Sequence, residues 1–255
     1  MSGLVARLKV RLEQRADFSE VFAEPWTTLA ADEMARRNVY LERDGRVAMG
    51  ELFQLTGEPD GSIELIGALD QADRLGAGLQ SGEVVVKGSL GREAGLAMAG
   101  GILDIEGDAG PRAGSALLGY KRGMTGGELI VRGSAGPEAG TAMRRGLLVV
   151  GRNAGALAGR GMIAGTVVIL GAAEADPGLW SKRGSIVALG SITPPATYAY
   201  ACTYQPVHLR LLLMRLRTRY RLRIQRKHFT GLYRRYSGDL AELGKGEILA
   251  WTPPS

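Results

Sequence analysis

Glycine recurs in this chain with a period of about 19 residues, and no other feature of the sequence constrains the fold as strongly. The intervals between successive members of one glycine series are 19, 26, 19, 19 and 19. The one long interval contains a seven-residue insertion between Gly114 and Met124. A period of this length indicates one short structural unit that is stacked many times. The series consists of Gly82, Gly101, Gly127, Gly146, Gly165 and Gly184.

A five-residue run rich in β-branched residues follows each of these glycines, as expected for a β-strand. Alternate residues of a strand share a face, and the second and fourth positions of every run are aliphatic. A unit of about 19 residues is too short for a strand, a crossover helix and their loops. The sequence therefore predicts a mainly β fold, a right-handed parallel β-helix whose coils of about 19 residues stack on a common core.

The third position of each run should point away from that core. The residue at this third position is polar or apolar in the early repeats and always aliphatic in the later ones. The predicted outer face is therefore partly apolar. An apolar outer face is normally covered by something. Both the chain's own C-terminal segment and another subunit fit this role. The third-position residues are Val85, Asp104, Ile130, Val149, Val168 and Val187.

The two ends of the chain lack the repeat, and solenoids need caps at their ends. Alternation through Leu8, Val10 and Leu12 predicts a strand, and residues 28–37 predict a helix. Asp44-Gly45 predicts a hairpin turn. We therefore expect three parts: an N-terminal α+β cap (1–60), the β-helix (61–190), and a basic C-terminal segment packing on the solenoid or on a partner (191–255).

The C-terminal segment carries ten basic residues and no acidic residue between Arg210 and Arg235. Leucines at spacings of three and four predict an amphipathic helix in its first half, although strict alternation from Arg215 to Arg223 also permits a strand. The charge fits a solvated face or ion pairs with a partner, a polyanionic small ligand, or nucleic acid. The candidate ligand-binding residues are Arg215, Arg217, Arg219, Arg221, Arg223, Arg226 and Lys227.

Residues that are scarce in the chain limit its chemistry. It has one cysteine, Cys202, and two histidines, His208 and His228. This argues against a disulfide, a Cys-rich metal site and a His-based triad, so we expect neither a metal site nor catalytic residues. An enzyme hypothesis would have to use a carboxylate such as Asp104 or Glu106. No apolar run reaches the roughly 20 residues of a membrane span, so we expect a cytoplasmic protein without membrane contact.

The repeats at 123–140 and 146–165 resemble the C subunit of formylmethanofuran dehydrogenase, and residues 237–249 resemble the C-terminal end of that family. The resemblance runs from about residue 60 to the end of the chain. The same G-x-x-G-x-x-x-G β-helix also forms the C-terminal domain of the glutamate synthase large subunit. The resemblance implies a subunit of an enzyme complex that is not itself catalytic.

Two complexes contain such a subunit. One is the archaeal dehydrogenase, which uses a tungsten or molybdenum pterin. The other is the formyltransferase/hydrolase complex of methylotrophic bacteria, which the excess of arginine over lysine favours. In one-carbon metabolism and formaldehyde oxidation, it transfers a formyl group from tetrahydromethanopterin to a methanofuran-like coenzyme and then releases formate.

The resemblance also implies partners and a ligand. The partners would be the A, B and D subunits, of which the first is an amidohydrolase-like zinc protein and the last is formyltransferase-like. The ligand would be the acidic polyglutamate tail of the coenzyme, which arginine side chains can hold through its carboxylates. A scaffold without a ligand and a β-helix that binds nucleic acid are the alternatives.

Overall fold

The N-terminal part of the chain forms short strands and two short helices. The structure is a computed structural model that describes residues 3–253. The elements before the repeats are β1 (Leu4–Leu8), β2 (Ala16–Asp17), α1 (Ala31–Ala35), β3 (Asn38–Leu41), β4 (Gly45–Ala48), α2 (Met49–Leu52) and β5 (Phe53–Thr56).

The repeats form strands where the sequence predicts them. The glycines of the series directly precede these strands, except Gly184, which is the second residue of the last one. The strands of this part are β6 (Ser62–Ile66), β7 (Ala72–Asp73), β8 (Glu83–Lys87), β9 (Ile102–Ile105), β10 (Glu128–Val131), β11 (Leu147–Val150), β12 (Thr166–Ile169) and β13 (Arg183–Ala188).

The C-terminal part combines three strands with two helices. Its elements are β14 (Ala199–Tyr204), α3 (Val207–Arg219), α4 (Arg226–Thr230), β15 (Leu232–Gly238) and β16 (Lys245–Thr252).

Most strands belong to one mixed sheet of 12 strands, in the order β14-β15-β16-β13-β12-β11-β10-β9-β8-β6-β1-β5. The strands in the middle of this order, from β16 to β1, pair in parallel with one another. The strands at the two ends, β14 and β15 on one side and β5 on the other, pair antiparallel. A smaller sheet has the order β4-β3-β2-β7. The mainly β prediction is confirmed.

The parallel strands pair without any shift in register, so equivalent positions of successive repeats lie side by side. Leu129 is paired with Leu148, for example, and Leu148 with Val167. The predicted inward positions are all buried. A second row of parallel bridges connects the turns of the same repeats, through Leu90, Ala109, Ala135, Ala154 and Ala173.

The repeating glycines are required by the close approach of successive repeats. Gly146 has a φ of +96°, and a Cβ atom there would lie 2.7 Å from the carbonyl oxygen of Gly127. Another residue at this position would therefore clash with the backbone and adopt an unfavourable conformation. The regular glycine period reflects this contact, which recurs from one repeat to the next.

Two predictions for the N-terminal part need correction. The predicted strand around Leu8, Val10 and Leu12 is shifted, because β1 ends at Leu8 and Val10 is exposed. The helix predicted over 28–37 is confined to α1, where Glu33 accepts a hydrogen bond from the backbone N–H of Ala30. The hairpin at Asp44-Gly45 is confirmed by the antiparallel pairing of β3 and β4.

The apolar outer face is covered by the chain's own C-terminal segment. Val149, Val168 and Val187 are completely buried, in a cluster with Leu213 and Leu216 of α3. The helix prediction for this segment is confirmed, and the alternative of a strand from 215 is wrong, since α3 continues to Arg219. No helix in the described part of the chain is long and apolar enough to cross a membrane.

Candidate functional site

The seven basic residues predicted to bind a ligand lie on three successive pieces of backbone. Arg215, Arg217 and Arg219 are on α3, Arg221 and Arg223 are on the connection to α4, and the remaining two begin α4. All seven are exposed. The first of these pieces owes its orientation to three leucines, which fix α3 on the outer face of the sheet. They are Leu209, Leu213 and Leu216.

The connection between the two helices alternates between buried and exposed residues. Tyr220, Leu222 and Ile224 are buried in the outer cluster, whereas Arg221 and Arg223 point to solvent. The alternation from Tyr220 to Ile224 is thus satisfied by an irregular loop that is not paired into a sheet.

The structure does not bring the seven residues together in one site. Arg215 forms an ion pair with Glu128, which also accepts a hydrogen bond from the Tyr220 hydroxyl. Burial raises the pKa of Tyr220, and the hydrogen bond to Glu128 raises it further, so the phenol stays protonated. The Arg219 guanidinium lies 5.5 Å from the centre of the Tyr220 ring. Arg215 therefore helps to attach α3 to the sheet.

Two of the predicted residues do meet, at a cavity of about 360 Å³ between α3 and α4. Arg217 and Arg226 line it together with Arg210, which is not one of the seven candidate residues. The Arg217 guanidinium lies 5.7 Å from the centre of the Phe229 ring. Three guanidinium groups on a partly apolar wall can hold carboxylates. The other lining residues are Met214, Thr218, Phe229 and Thr230.

A second basic cavity was not predicted from the sequence. It measures about 280 Å³ and is lined by Arg122, Thr125, Arg144 and Arg145. The sequence nevertheless contains a signal for it, a pair of basic residues at equivalent positions of two repeats. Arg144-Arg145 follows Met143, and Lys182-Arg183 follows Ser181 two repeats later. Comparing the turn positions between repeats, and not the strands alone, would have found it.

The carboxylates that an enzyme hypothesis would use are paired with basic groups. Asp104 is buried, with 4% of its surface exposed, and receives two hydrogen bonds of 2.7 and 2.8 Å from Arg132. Glu106 accepts a hydrogen bond of 2.5 Å from Lys87. The hydrogen bond to Asp104 raises the pKa of Arg132 against the effect of burial. Such pairs stabilise the repeats, and the two carboxylates have different partners.

A third cavity, of about 530 Å³, is lined by charged residues of both signs. At its wall Glu93 receives hydrogen bonds of 2.7 Å from Arg74 and 3.0 Å from Arg112. Burial opposes ionisation of Glu93, but these two hydrogen bonds outweigh it and lower the pKa of the carboxyl. Because the charges are mutually compensated, this cavity offers no selective attraction to an anion or a cation.

His228 is buried, and no atom in the described part of the chain forms a hydrogen bond with its Nδ1. Burial lowers its pKa, and the charge of Lys227 lowers it further, so the ring is neutral at pH 7. Its ring packs edge-on against Trp251 at 5.1 Å. Among residues 3–253, no group of three or more His, Cys, Asp and Glu side chains could hold a metal ion.

Comparison with known protein families and with curated proteins gave no match. A solved structure does match: a chain of the formyltransferase/hydrolase complex (FhcABCD) from Methylorubrum extorquens, whose crystal structure was determined in complex with methylofuran. The sequences are 32% identical, the match covers 98% of this chain and 100% of that chain, and the TM-score is 0.78. The chain belongs to the family of formyltransferase/hydrolase complex subunits.

The membership confirms the predicted kind of complex. The formyltransferase/hydrolase complex contains several subunits, and the match spans a complete chain of it. The assignment to the C subunit, the coenzyme tail and the seven basic residues as its binding site stay predictions.

Proposed function

We propose that the chain is the C subunit of a formyltransferase/hydrolase complex, and that it supports formyl transfer from tetrahydromethanopterin to a methanofuran-like coenzyme without being catalytic itself. The observation that carries the proposal is the match over the full length of one chain of such a complex. The repeats that resemble the C subunit contain two central strands of this chain, β10 and β11. The match favours this complex over the archaeal dehydrogenase.

The repeats are proposed to wind as coils of a right-handed parallel β-helix. Two rows of parallel contacts support this proposal, since the strands pair in register on one side and the alanine bridges connect the turns. The three-part division at 60 and 190 belongs to the same proposal. The N-terminal part supplies β1 and β5 to one end of the large sheet, as a cap would.

In the assembled complex, the partners would be the amidohydrolase-like zinc protein, the B subunit, and the formyltransferase-like protein, in the cytoplasm. These partners would carry the hydrolytic and transfer chemistry. The methylofuran in the related crystal structure agrees with a methanofuran-like coenzyme as the carrier of the formyl group.

The cavity between α3 and α4 is the proposed contact for the acidic tail of that coenzyme. Its three guanidinium groups, from Arg210, Arg217 and Arg226, have no carboxylate among the other lining residues. One exposed ion pair contributes only about 0–1 kcal/mol, so binding needs several pairs along a flexible tail. The remaining exposed arginines would add a long-range attraction that salt screens.

Steady-state kinetics of the intact complex tests this proposal. The double variant Arg217→Gln/Arg226→Gln removes two charges from the cavity. We expect it to raise the KM for a coenzyme with a long acidic tail about tenfold, because two contacts of about 0.7 kcal/mol each are lost. Hydrolysis of a formyl substrate without the tail should be unchanged.

The matched control is Arg221→Gln/Arg223→Gln, which changes the net charge equally on residues outside the cavity. It should raise the KM far less, by the long-range effect alone. Equal responses of both double variants, or of both substrates, would contradict a local tail site. If the cavity variant separates from the complex on gel filtration, these arginines belong to a subunit interface instead.

A further inference from the structure

The large sheet ends in a strand whose outer edge pairs with no other strand of residues 3–253. β14 is the outermost strand on its side, and five of its six residues are exposed. Exposed edge strands usually carry charges or proline, which prevent pairing with other chains. β14 has neither in its sequence Ala-Tyr-Ala-Cys-Thr-Tyr. Its unpaired backbone groups are therefore available to a further strand.

An apolar stripe on α3 follows directly after this edge. Val207, Leu211 and Met214 are exposed to 75, 72 and 45% although they recur at helical spacing. α3 is thus apolar on two faces, and the described part of the chain covers only the face that packs on the sheet.

The residues around this surface are basic, and their charge favours an acidic binding partner. No aspartate or glutamate occurs between Asp176 and Asp239, whereas this stretch contains 12 lysines and arginines. Exposed arginines lie beside the stripe and on the neighbouring strand, among them Arg210, Arg217 and Arg234. A second copy of this chain would bring like charges together, so the charge favours an acidic polypeptide of a different kind.

From these three observations we infer that β14 and the exposed stripe of α3 form a docking surface for an extended acidic segment of another polypeptide. The segment adds a strand to β14 through main-chain hydrogen bonds. Its apolar side chains cover Val207 and Leu211, and its carboxylates face exposed arginines such as Arg234. The inference does not depend on tail binding, because β14, Val207 and Leu211 do not line the cavity between α3 and α4.

Hydrogen exchange of the assembled complex and of the isolated full-length chain tests the strand addition. We expect the amides of residues 199–204 to exchange at least tenfold more slowly in the complex. β5, the strand at the opposite edge of the sheet, serves as an internal reference. Equal exchange of β14 in both states would overturn the inference. Protection in the isolated chain that grows with its concentration would also overturn it, because the occupant would be a second copy.

A photocrosslinker identifies the occupant. Cys202 is the single cysteine of the chain and is exposed on β14, so benzophenone maleimide labels this position alone. In the complex, the expected crosslink joins Cys202 to a segment of a different subunit that contains aspartate or glutamate. A crosslink to peptides of this same chain, or to a segment without acidic residues, would contradict the proposed occupant.

The variant Leu211→Asp tests the role of the exposed apolar stripe on α3. The side chain is 72% exposed, so the isolated variant should melt like the wild type, while repulsion from the acidic segment should weaken its incorporation into the complex at least tenfold. The matched control is Leu240→Asp, at a leucine that is 62% exposed outside the stripe. It should assemble like the wild type, and equal losses in both variants would speak against the stripe.

Discussion

At the scale of single residues, ion pairs connect several successive repeats along one row of turns. Arg112 contacts Glu93 of the preceding repeat and Glu138 of the following one, and Glu138 also pairs with Arg160. Glu93 is only 8% exposed, so its charge is costly to bury without these partners. The alternation of acidic and basic residues along this row stabilises the stacking in addition to the apolar core.

Acid should weaken the fold through Glu93. Its pKa is lower in the folded chain than its ordinary value of 4.5, so the ionised carboxylate stabilises the fold above that pH. This contribution is lost as the pH falls below 4.5 through the depressed folded pKa. We expect Glu93→Gln to reduce the free energy of unfolding at pH 6–7 and to flatten its decline toward acid, in denaturant titrations across pH 3–7.

The control for this prediction is Glu242→Gln, which alters an exposed carboxylate. It should leave both the free energy of unfolding and its pH dependence close to those of the wild type. If the free energy of unfolding falls toward acid as steeply in Glu93→Gln as in the wild type, Glu93 does not cause that fall.

At the scale of elements, α3 acts as the cover of the outer face of the sheet. Arg132 strengthens this arrangement, because it holds Asp104 and also donates a hydrogen bond of 2.9 Å to the carbonyl oxygen of Tyr220. The later repeats can therefore present valines on both faces of their strands. One face packs inside the repeats, and the other packs against Leu213 and Leu216.

Two leucines of α3 should differ sharply when they are shortened. Leu216 is completely buried against the sheet, whereas Leu211 is exposed on the opposite side of the helix. Leu216→Ala should lower the free energy of unfolding by about 2–4 kcal/mol, since it leaves a cavity, and Leu211→Ala by less than about 0.5 kcal/mol. Denaturant unfolding of the isolated chain measures both, and similar losses would mean that α3 does not pack as described.

The strands and their inward faces could be predicted from the sequence because the repeat places the same local pattern in every unit. Leu129 and Leu148 can be assigned to one column from the glycine spacing alone. The sequence did not decide which segment covers Val149 and Val168. That contact joins segments that are distant in the chain and share no common pattern. The sequence also grouped seven basic residues that separate when α3 turns Arg217 toward Phe229 and Arg215 toward Glu128.

At the scale of the whole molecule, the stacking of the repeats is continuous despite one interruption. The interval between Gly101 and Gly127 exceeds the period by seven residues, yet β9 and β10 pair in the same register as the other strands. The additional residues lie outside the stack, and Leu117, Leu118 and Tyr120 are exposed. The insertion is therefore a loop added to one turn.

Removing this loop should leave the stack intact. Deletion of residues 116–122 restores the regular interval, with Ser115 and Gly123 in the places that Leu96 and Ala97 occupy in the preceding repeat. The deletion loses the hydrogen bond from Arg112 to the carbonyl oxygen of Ala116, which contributes about 1 kcal/mol, and shortening a flexible loop offsets part of this loss. We expect the shortened chain to fold with a free energy of unfolding within about 1 kcal/mol of the wild type.

As a control, deletion of residues 154–160 removes the same number of residues from a turn of regular length, so the register of Leu148 with Val167 cannot be kept and the chain should not fold. Circular dichroism and denaturant unfolding compare the two deletions. If both variants unfold, or if both fold equally well, the regular glycine spacing does not determine how the repeats stack.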